Sequence, residues 1–335
     1  MQEEITFSPK YTTKQRFTRK ITGSLVKGFL SGISKLGGLH PAANPKKYGI
    51  KVLKNIPYKD TGKQEHLLDI YLPEKAQRPL RTLFYIHGGG FRILSKDTHW
   101  LMGLAFARQG YAVFNINYRL APQHPFPAAM QDASDALLWI LENASNYEAD
   151  PKELVLSGES AGGNLVTSVT LAAHYDTFSE PWAKQIWDAH PKIRAVIPAC
   201  PMLQVSAPER YMQMQLLPTI VKSRILDISE SYLPKHYDKP GAEPLADPLV
   251  FLEEGHAPKR PLPPFFTFVG DKDPIIDDTL RMQVALEQLG VTSEMKVYQG
   301  GVHAFHAFIW QQRAQQAWRD QFDFLKRHYP PINNT

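Results

Sequence analysis

Short, nearly continuous apolar runs alternate along the chain with longer stretches in which apolar residues recur every three or four positions. The runs "RTLFYIH" (81–87), "YAVFNINY" (111–118), "ELVLSG" (153–158), "IRAVIPA" (193–199), "PFFTFVG" (264–270) and "SEMKVYQ" (293–299) have the composition of strands buried on both faces. Between them, Thr98 to Gln109, Ala128 to Asn143, Ala161 to His174 and Thr279 to Leu289 carry helical periodicity, and "QQRAQQAWRDQFDFLKRHY" adds a closing amphipathic helix. Upstream, "YGIKVLKNIPY" and "HLLDIYLP" read as strands bracketing a turn at Asp60-Thr-Gly. The expected fold class is α/β, a mostly parallel eight-stranded sheet flanked by helices on both faces.

Two regions break this rhythm. The stretch 202–259, with "YMQMQLLPTIVKSRILDISESYL" and loops containing Pro and Gly, falls where one more crossover helix was due and reads as an inserted lid. At the front, Phe17, Ile21, Leu25, Phe29, Ile33 and Leu36 recur at helical spacing, although Gly23, Gly28 and Gly32 weaken such a helix. Residues 1–54 hold eleven Lys or Arg against Glu3 and Glu4, so the formal charge of +5 conceals a basic front and a mildly acidic remainder. That front segment reads as a helix packed on the rest of the protein or as an amphipathic helix in peripheral contact with anionic membrane surfaces.

No stretch of the 335 residues approaches the roughly 18 consecutive apolar residues of a spanning helix. The first twenty residues lack the compact apolar segment of a secretory signal, which predicts a cytoplasmic location and makes the sequons at Asn143 and Asn333 chance matches. Cys200 is the single cysteine, expected as a small buried hydrophobe.

Candidate chemistry begins with "LVLSGESAGGNL" (154–165), in which Gly158-x-Ser160-x-Gly162 stands between a strand pattern and a helix pattern. A sharp strand-to-helix turn would hold the serine on a strained elbow and require small residues two positions to either side. Its hydroxyl needs a base and an orienting acid. The loops after later strands supply Asp271 and Asp273, then His303 and His306, in the order Ser, Asp, His. The strand end "FYIHGGGFRI" (84–93) then acquires a purpose, because bare glycine N–H groups can reach an oxyanion that side chains would obstruct. His87 reads as an anchor for that loop rather than as a base.

At these residues the sequence resembles the hormone-sensitive-lipase-like carboxylesterases of the α/β-hydrolase superfamily. The resemblance rests on His87-Gly88-Gly89-Gly90-Phe91, "YRLAPQHPFPAAMQD" (118–132), Gly158-Glu-Ser-Ala-Gly-Gly163, Asp273-Pro274 and Gly301 to His303, in family order over roughly residues 80 to 310. It implies Ser160 as nucleophile, Asp273 as acid and His303 as base, with the N–H groups of Gly88, Gly89 and Ala161 as oxyanion hole. It also implies an N-terminal cap segment (1–48), a core in two parts (49–201 and 260–335) and a cap insertion (202–259). Three departures stand out: Glu159 where aspartate is commoner, "DPIIDD" in the acid loop, and Ala304 where glycine is usual. They leave Asp271 and Asp277 as competitors for the acid and His306 for the base. Arg119 and Asp132 are expected to tie loops together beneath the site.

The expected activity is hydrolysis of short- to medium-chain carboxylic esters through an acyl-enzyme, with an amidase or deacetylase, or a non-catalytic ligand-binding relative, as alternatives. No metal or organic cofactor is called for: His303-x-x-His306 lacks the glutamate and third ligand of a zinc motif, and neither a P-loop nor a dinucleotide fingerprint occurs. The expected partner is a small-molecule ester, and a nucleic-acid role has no recognised reader motif.

Overall fold

The structure, a computed structural model, describes residues 43–213, 217–234 and 240–329, together with Gly28, Gly32 and His40. The proposed front helix over Phe17 to Leu36 otherwise lies outside the described residues. Eight strands form one sheet in the order β1-β2-β4-β3-β5-β6-β7-β8, where β1 is Ile50–Pro57, β2 Leu67–Pro73, β3 Leu80–Ile86, β4 Tyr111–Ile116, β5 Ala149–Glu159, β6 Ile193–Ala199, β7 Phe265–Gly270 and β8 Ser293–Tyr298. β1 runs antiparallel to β2, and β2 to β4; every pair from β4 to β8 is parallel.

The apolar runs follow from this placement. β4 and β7 are buried at every position, whereas the edge strands β1 and β8 are exposed or half-buried at most of theirs. Phe84, Ile86, Leu154, Leu156 and Val196 face one layer of the core; Leu83, Tyr85, Val155, Ile197 and Phe268 face the other. The first layer is covered by α2 (Ala128–Asn143), α3 (Ala161–His174) and α4 (Pro181–Ala189), the second by α1 (Trp100–Ala107) and α9 (Gln312–His328).

The periodicity located these helices with shifted boundaries in α1 and α8 and one omission. α1 starts two residues later than expected, and α8 (Ile276–Gln288) starts a turn earlier, because Asp277 and Asp278 suit the positive end of a helix rather than a loop. The omitted helix, α4, carries only Trp182, Ala183 and Ile186 as its buried stripe, too short a signal to separate from a loop.

The stretch 202–259 holds the short α5 (Glu209–Met212), α6 (Thr219–Tyr232) and α7 (Pro248–Glu253). Two buried carboxylates organise its entry. Asp278 accepts the N–H groups of Leu203 and Gln204 and the hydroxyl of Tyr211, and pairs with Arg210 at 2.6 Å. Asp247 accepts the N–H groups of Val205 and Ser206 and the Ser206 hydroxyl. Asn164 joins this stretch to α3 by donating to the carbonyls of Met202 and Ala246, both at 2.9 Å. Among the described residues no helix is long and apolar enough to cross a membrane.

Candidate active site

Because β3, β5, β6, β7 and β8 are parallel, their C-terminal ends open at one edge of the sheet. That edge receives His87 to Gly90 after β3, Ser160 after β5, Cys200 after β6, Asp273 after β7 and His303 after β8.

The elbow is built from steric necessity. Ser160 sits at φ 55° and ψ −114°, a conformation that costs a residue with a side chain about 1–3 kcal/mol. A Cβ on Gly158 would stand 2.3 Å from the Gly162 carbonyl oxygen, and one on Gly162 would stand 2.0 Å from that of Ile86. Only glycine lets the turn close. Neighbouring strands hold it in place: the Ser160 N–H donates to the Ala199 carbonyl at 2.9 Å, and the Ser160 carbonyl accepts from Met202 and Asn164, both at 3.1 Å. Ala161 opens α3, so its N–H belongs to the first turn, whose N–H groups have no carbonyl within the helix and stand at its positive end.

The glycine loop lies directly against this elbow. A Cβ on Gly88 would come within 3.4 Å of Ser160 Cβ and 2.8 Å of the Glu159 carbonyl oxygen, and Gly89 holds φ +112° with the Ile93 carbonyl where its side chain would be. His87 does anchor the loop: Nδ1 pairs with the Gly88 carbonyl at 2.7 Å and the ring stacks on Tyr118 at 4.3 Å. Complete burial pushes its pKa down to about 3, so it stays neutral. Tyr118 returns a hydrogen bond to the His87 carbonyl at 3.0 Å. Arg119 and Asp132 tie the adjacent loop: the carboxylate accepts both the backbone N–H and the guanidinium of Arg119 at 2.8–2.9 Å.

Among the carboxylates and histidines of the loops after β7 and β8, one pair is in direct contact. His303 Nδ1 donates to Asp273 Oδ2 at 2.8 Å, and Asp273 Oδ1 accepts the Ile275 N–H at 3.0 Å. Burial opposes a charged His303, but the Asp273 carboxylate outweighs it and raises the imidazole pKa above its ordinary value. The competitors are occupied elsewhere. Asp271 accepts the Gly300 N–H at 2.6 Å, Asp277 pairs with Arg210 at 3.2 Å, and His306 Nε2 approaches Glu159 Oε2 to 3.1 Å. Ala304 takes the left-handed conformation at φ 56°, which accounts for glycine being the easier residue there.

Two features escaped the sequence reading. Glu159 is buried between His306 and His99, whose Nε2 lies 3.4 Å from Oε1; the Glu-for-Asp departure was the available signal, but nothing in sequence distance brings His99 near. Cys200 is buried as expected, yet its sulfur, an Asp273 oxygen and a His303 nitrogen all lie within 4.8 Å of one another. This donor set does not suit a resident metal. The carboxylate and imidazole are committed to each other, and burial, with the charges of Asp273 and Glu159, pushes the thiol pKa up and away from the thiolate a metal requires.

The stretch 202–259 reaches the same edge. Ile228 of α6 fills the space where a Gly90 side chain would sit, and Tyr232 stacks on Phe91 with ring centroids 3.7 Å apart.

Comparison with known proteins places these features in context. A family model described as an alpha/beta hydrolase fold matches residues 83–307. Carboxylesterase NlhH of Mycobacterium tuberculosis is 30% identical over 244 residues, spanning 71% of this chain and 70% of that protein. Arylacetamide deacetylase of Bos taurus is 40% identical over 122 residues, 35% of this chain and 31% of that one. Among solved structures, esterase LipW from Mycobacterium marinum aligns with a TM-score of 0.74 at 22% identity, covering 92% of this chain and 90% of its own.

Proposed function

Since the chain belongs to the hormone-sensitive-lipase-like carboxylesterases of the α/β-hydrolase superfamily, we propose that it hydrolyses short- to medium-chain carboxylic esters through an acyl-enzyme on Ser160. The observation that carries this reading is the Asp273–His303 hydrogen bond of 2.8 Å, presented at the sheet edge where the strained Ser160 stands against bare glycine backbone.

In this mechanism His303 takes the Ser160 proton as Oγ attacks the ester carbonyl, and Asp273 holds the imidazole in the tautomer that leaves Nε2 free to accept. The carbonyl π electrons become an oxyanion, received by the N–H groups of Gly88, Gly89 and Ala161 and by the positive end of α3. Collapse of the intermediate breaks the ester C–O bond, and the alcohol leaves with the proton from His303. Water then attacks the acyl-enzyme, giving its proton to the same imidazole, which returns it to Ser160 as the carboxylic acid departs. No metal or organic cofactor enters these steps.

Residues 1–48 and 202–259 together form the cap of this proposal, above a core of 49–201 and 260–335. The contacts of Ile228 and Tyr232 with Gly90 and Phe91 support the second of these segments as a wall of the acyl pocket. The reading includes a cytoplasmic location, with the basic residues of 1–54 either in a helix packed on the rest of the protein or in peripheral contact with anionic lipid surfaces. One observation favours a second activity of the same triad: the 40% identity to arylacetamide deacetylase supports amide cleavage as the alternative.

The test is turnover of p-nitrophenyl esters from acetate to palmitate beside an arylacetamide, for the wild type and Ser160→Ala. Ester turnover that peaks at acetate to octanoate and falls by at least about 10³-fold in the variant is the expected result. Amide turnover exceeding ester turnover would install the second reading, and a folded wild type inert on both would refute the hydrolase proposal.

A further inference from the structure

The carboxylate of Glu159 stands where three of the loops used by the proposed chemistry meet: the glycine loop, the elbow and the loop after β8. It belongs to the last residue of β5, immediately before Ser160. Its Oε1 is where a side chain on Gly88 would collide, at 3.0 Å, so it backs the glycine loop. Its Oε2 lies 3.1 Å from Nε2 of His306, three residues after His303 in the loop following β8. Oε1 also lies 3.4 Å from Nε2 of His99, next to the N-terminus of α1.

Each histidine is fixed from behind. His99 Nδ1 pairs with the Ser95 carbonyl at 3.1 Å, and the His306 carbonyl accepts the Trp318 indole N–H at 3.0 Å. His306 Nε2 faces Glu159 Oε2 at ion-pair distance, while neither Oε2 nor His306 Nδ1 meets an aligned hydrogen-bond partner among the described residues. A buried carboxylate is costly unless its neighbours compensate it. Here burial would raise the Glu159 pKa, while His306 first and His99 second hold it well below the carboxylate range. Replacing either oxygen's partner would leave a buried charge uncompensated.

We infer that Glu159 is a positioning residue for the reaction, a buried anion that locks the oxyanion loop, the nucleophile elbow and the base loop in register and acts on catalysis through His303. The inference rests on the triad assignment proposed above. Besides fixing geometry, the anion has an electrostatic reach: after Asp273, it is the second charge that raises the His303 pKa. The other titratable groups facing this volume are Asp273 and the Cys200 thiol beside His303, with Tyr85, His87, Tyr118 and Cys200 around Glu159. All four of those around the carboxylate are neutral in the neutral pH range, since burial raises the tyrosines and the thiol and lowers His87. Glu159 therefore supplies a removable negative charge that acts on His303 without touching it.

The experiment compares kcat, KM and the pH profile of kcat/KM for the wild type, Glu159→Gln, Glu159→Asp and His306→Gln on the best p-nitrophenyl ester, with folding checked by near-UV circular dichroism. Glu159→Gln is expected to lower kcat by about tenfold or more with KM within about threefold, and to move the acid limb of kcat/KM down by about half a pH unit. His306→Gln keeps the charge and loosens the base loop, so kcat falls while the limb stays. Glu159→Asp keeps the limb and recovers part of kcat. A folded Glu159→Gln with wild-type kcat and an unmoved limb overturns the inference. If that variant does not fold, wild-type kcat in both Glu159→Asp and His306→Gln overturns it equally. An inert wild type, or full activity in Ser160→Ala, instead strikes the triad assignment and is read separately from these comparisons.

Discussion

Replacing Asp273 with asparagine tests the site at its most constrained atom. The carboxylate is buried and has two directed contacts: Oδ1 accepts the Ile275 N–H at 3.0 Å and Oδ2 accepts Nδ1 of His303 at 2.8 Å. The backbone N–H of Ile275 dictates how an amide must sit. With its oxygen toward Ile275, the amide NH₂ faces His303, forces Nδ1 to accept, and places the imidazole proton on Nε2, where it cannot receive the Ser160 proton. The flipped amide restores the tautomer but opposes NH₂ to the Ile275 N–H in a buried site, at a cost of about 1–3 kcal/mol. The same wrong tautomer costs about 10⁴ in kcat in a serine-protease triad, or roughly 5.4 kcal/mol at 1.36 kcal/mol per decade. Stopped or steady-state p-nitrophenyl ester assays should therefore show kcat down by about 10³–10⁴ with KM within about threefold. The pH profile gives a second reading. In the proposed mechanism activity needs neutral His303, whose pKa the Asp273 carboxylate raises above its ordinary value against the effect of burial, so wild-type kcat/KM is expected to fall as pH drops through that raised value. In the asparagine variant the residual activity keeps its limb lower, because the raising charge is gone. A folded variant retaining kcat within tenfold of wild type would refute the assignment of Asp273.

Gly162→Ala should both unfold and inactivate: its Cβ would lie 2.0 Å from the Ile86 carbonyl oxygen and 2.7 Å from that of His87, backbone atoms that cannot rotate away. A loss of about 3 kcal/mol or more by urea denaturation is expected, and a loss under about 1 kcal/mol would show that the elbow relaxes. Glu243, in the stretch 202–259, is pushed up to about 7 by burial first and by the charge of Glu180 second, against the Leu245 N–H that lowers it. Its folded form prefers the proton, so its penalty is absent below the unfolded carboxyl range and grows as pH rises toward about 7. Glu243→Gln should thus raise Tm at pH 8 and leave it nearly unchanged at pH 4; an equal rise at both values would point to a contact effect rather than to charge.

How far the sequence carries can be judged from where its reasoning stops. Continuous apolar runs announce strands covered on both faces, and the run 265–270 is indeed buried at every position. The elbow glycines were legible because the two residues flanking Ser160 at a spacing of two must lack side chains, a pattern visible in sequence although the Gly162 clash itself is with the Ile86 carbonyl of β3. The pairing of Asp273 with His303 was less local. Asp271 and Asp273 are both apt in composition, and only the fold shows the first caught by the Gly300 N–H and the second aimed at His303. Long-range encounters leave no periodic trace at all, and His99 meets Glu159 across sixty residues because β3, β5 and α1 converge.

The parts read locally, the glycine loop and the elbow, are enforced by excluded volume, which acts wherever the backbone folds this way. The parts that were hidden, the Glu159 junction and the choice of Asp273, are enforced by hydrogen bonds and charge between loops that follow different strands. Excluded volume fixes where Ser160 stands, while the buried charges fix how the loop carrying His303 and His306 is held against it. Substitutions of the first kind should therefore lower stability and activity together. Those of the second kind should separate the two, reducing kcat and displacing the pH profile in a protein that remains folded.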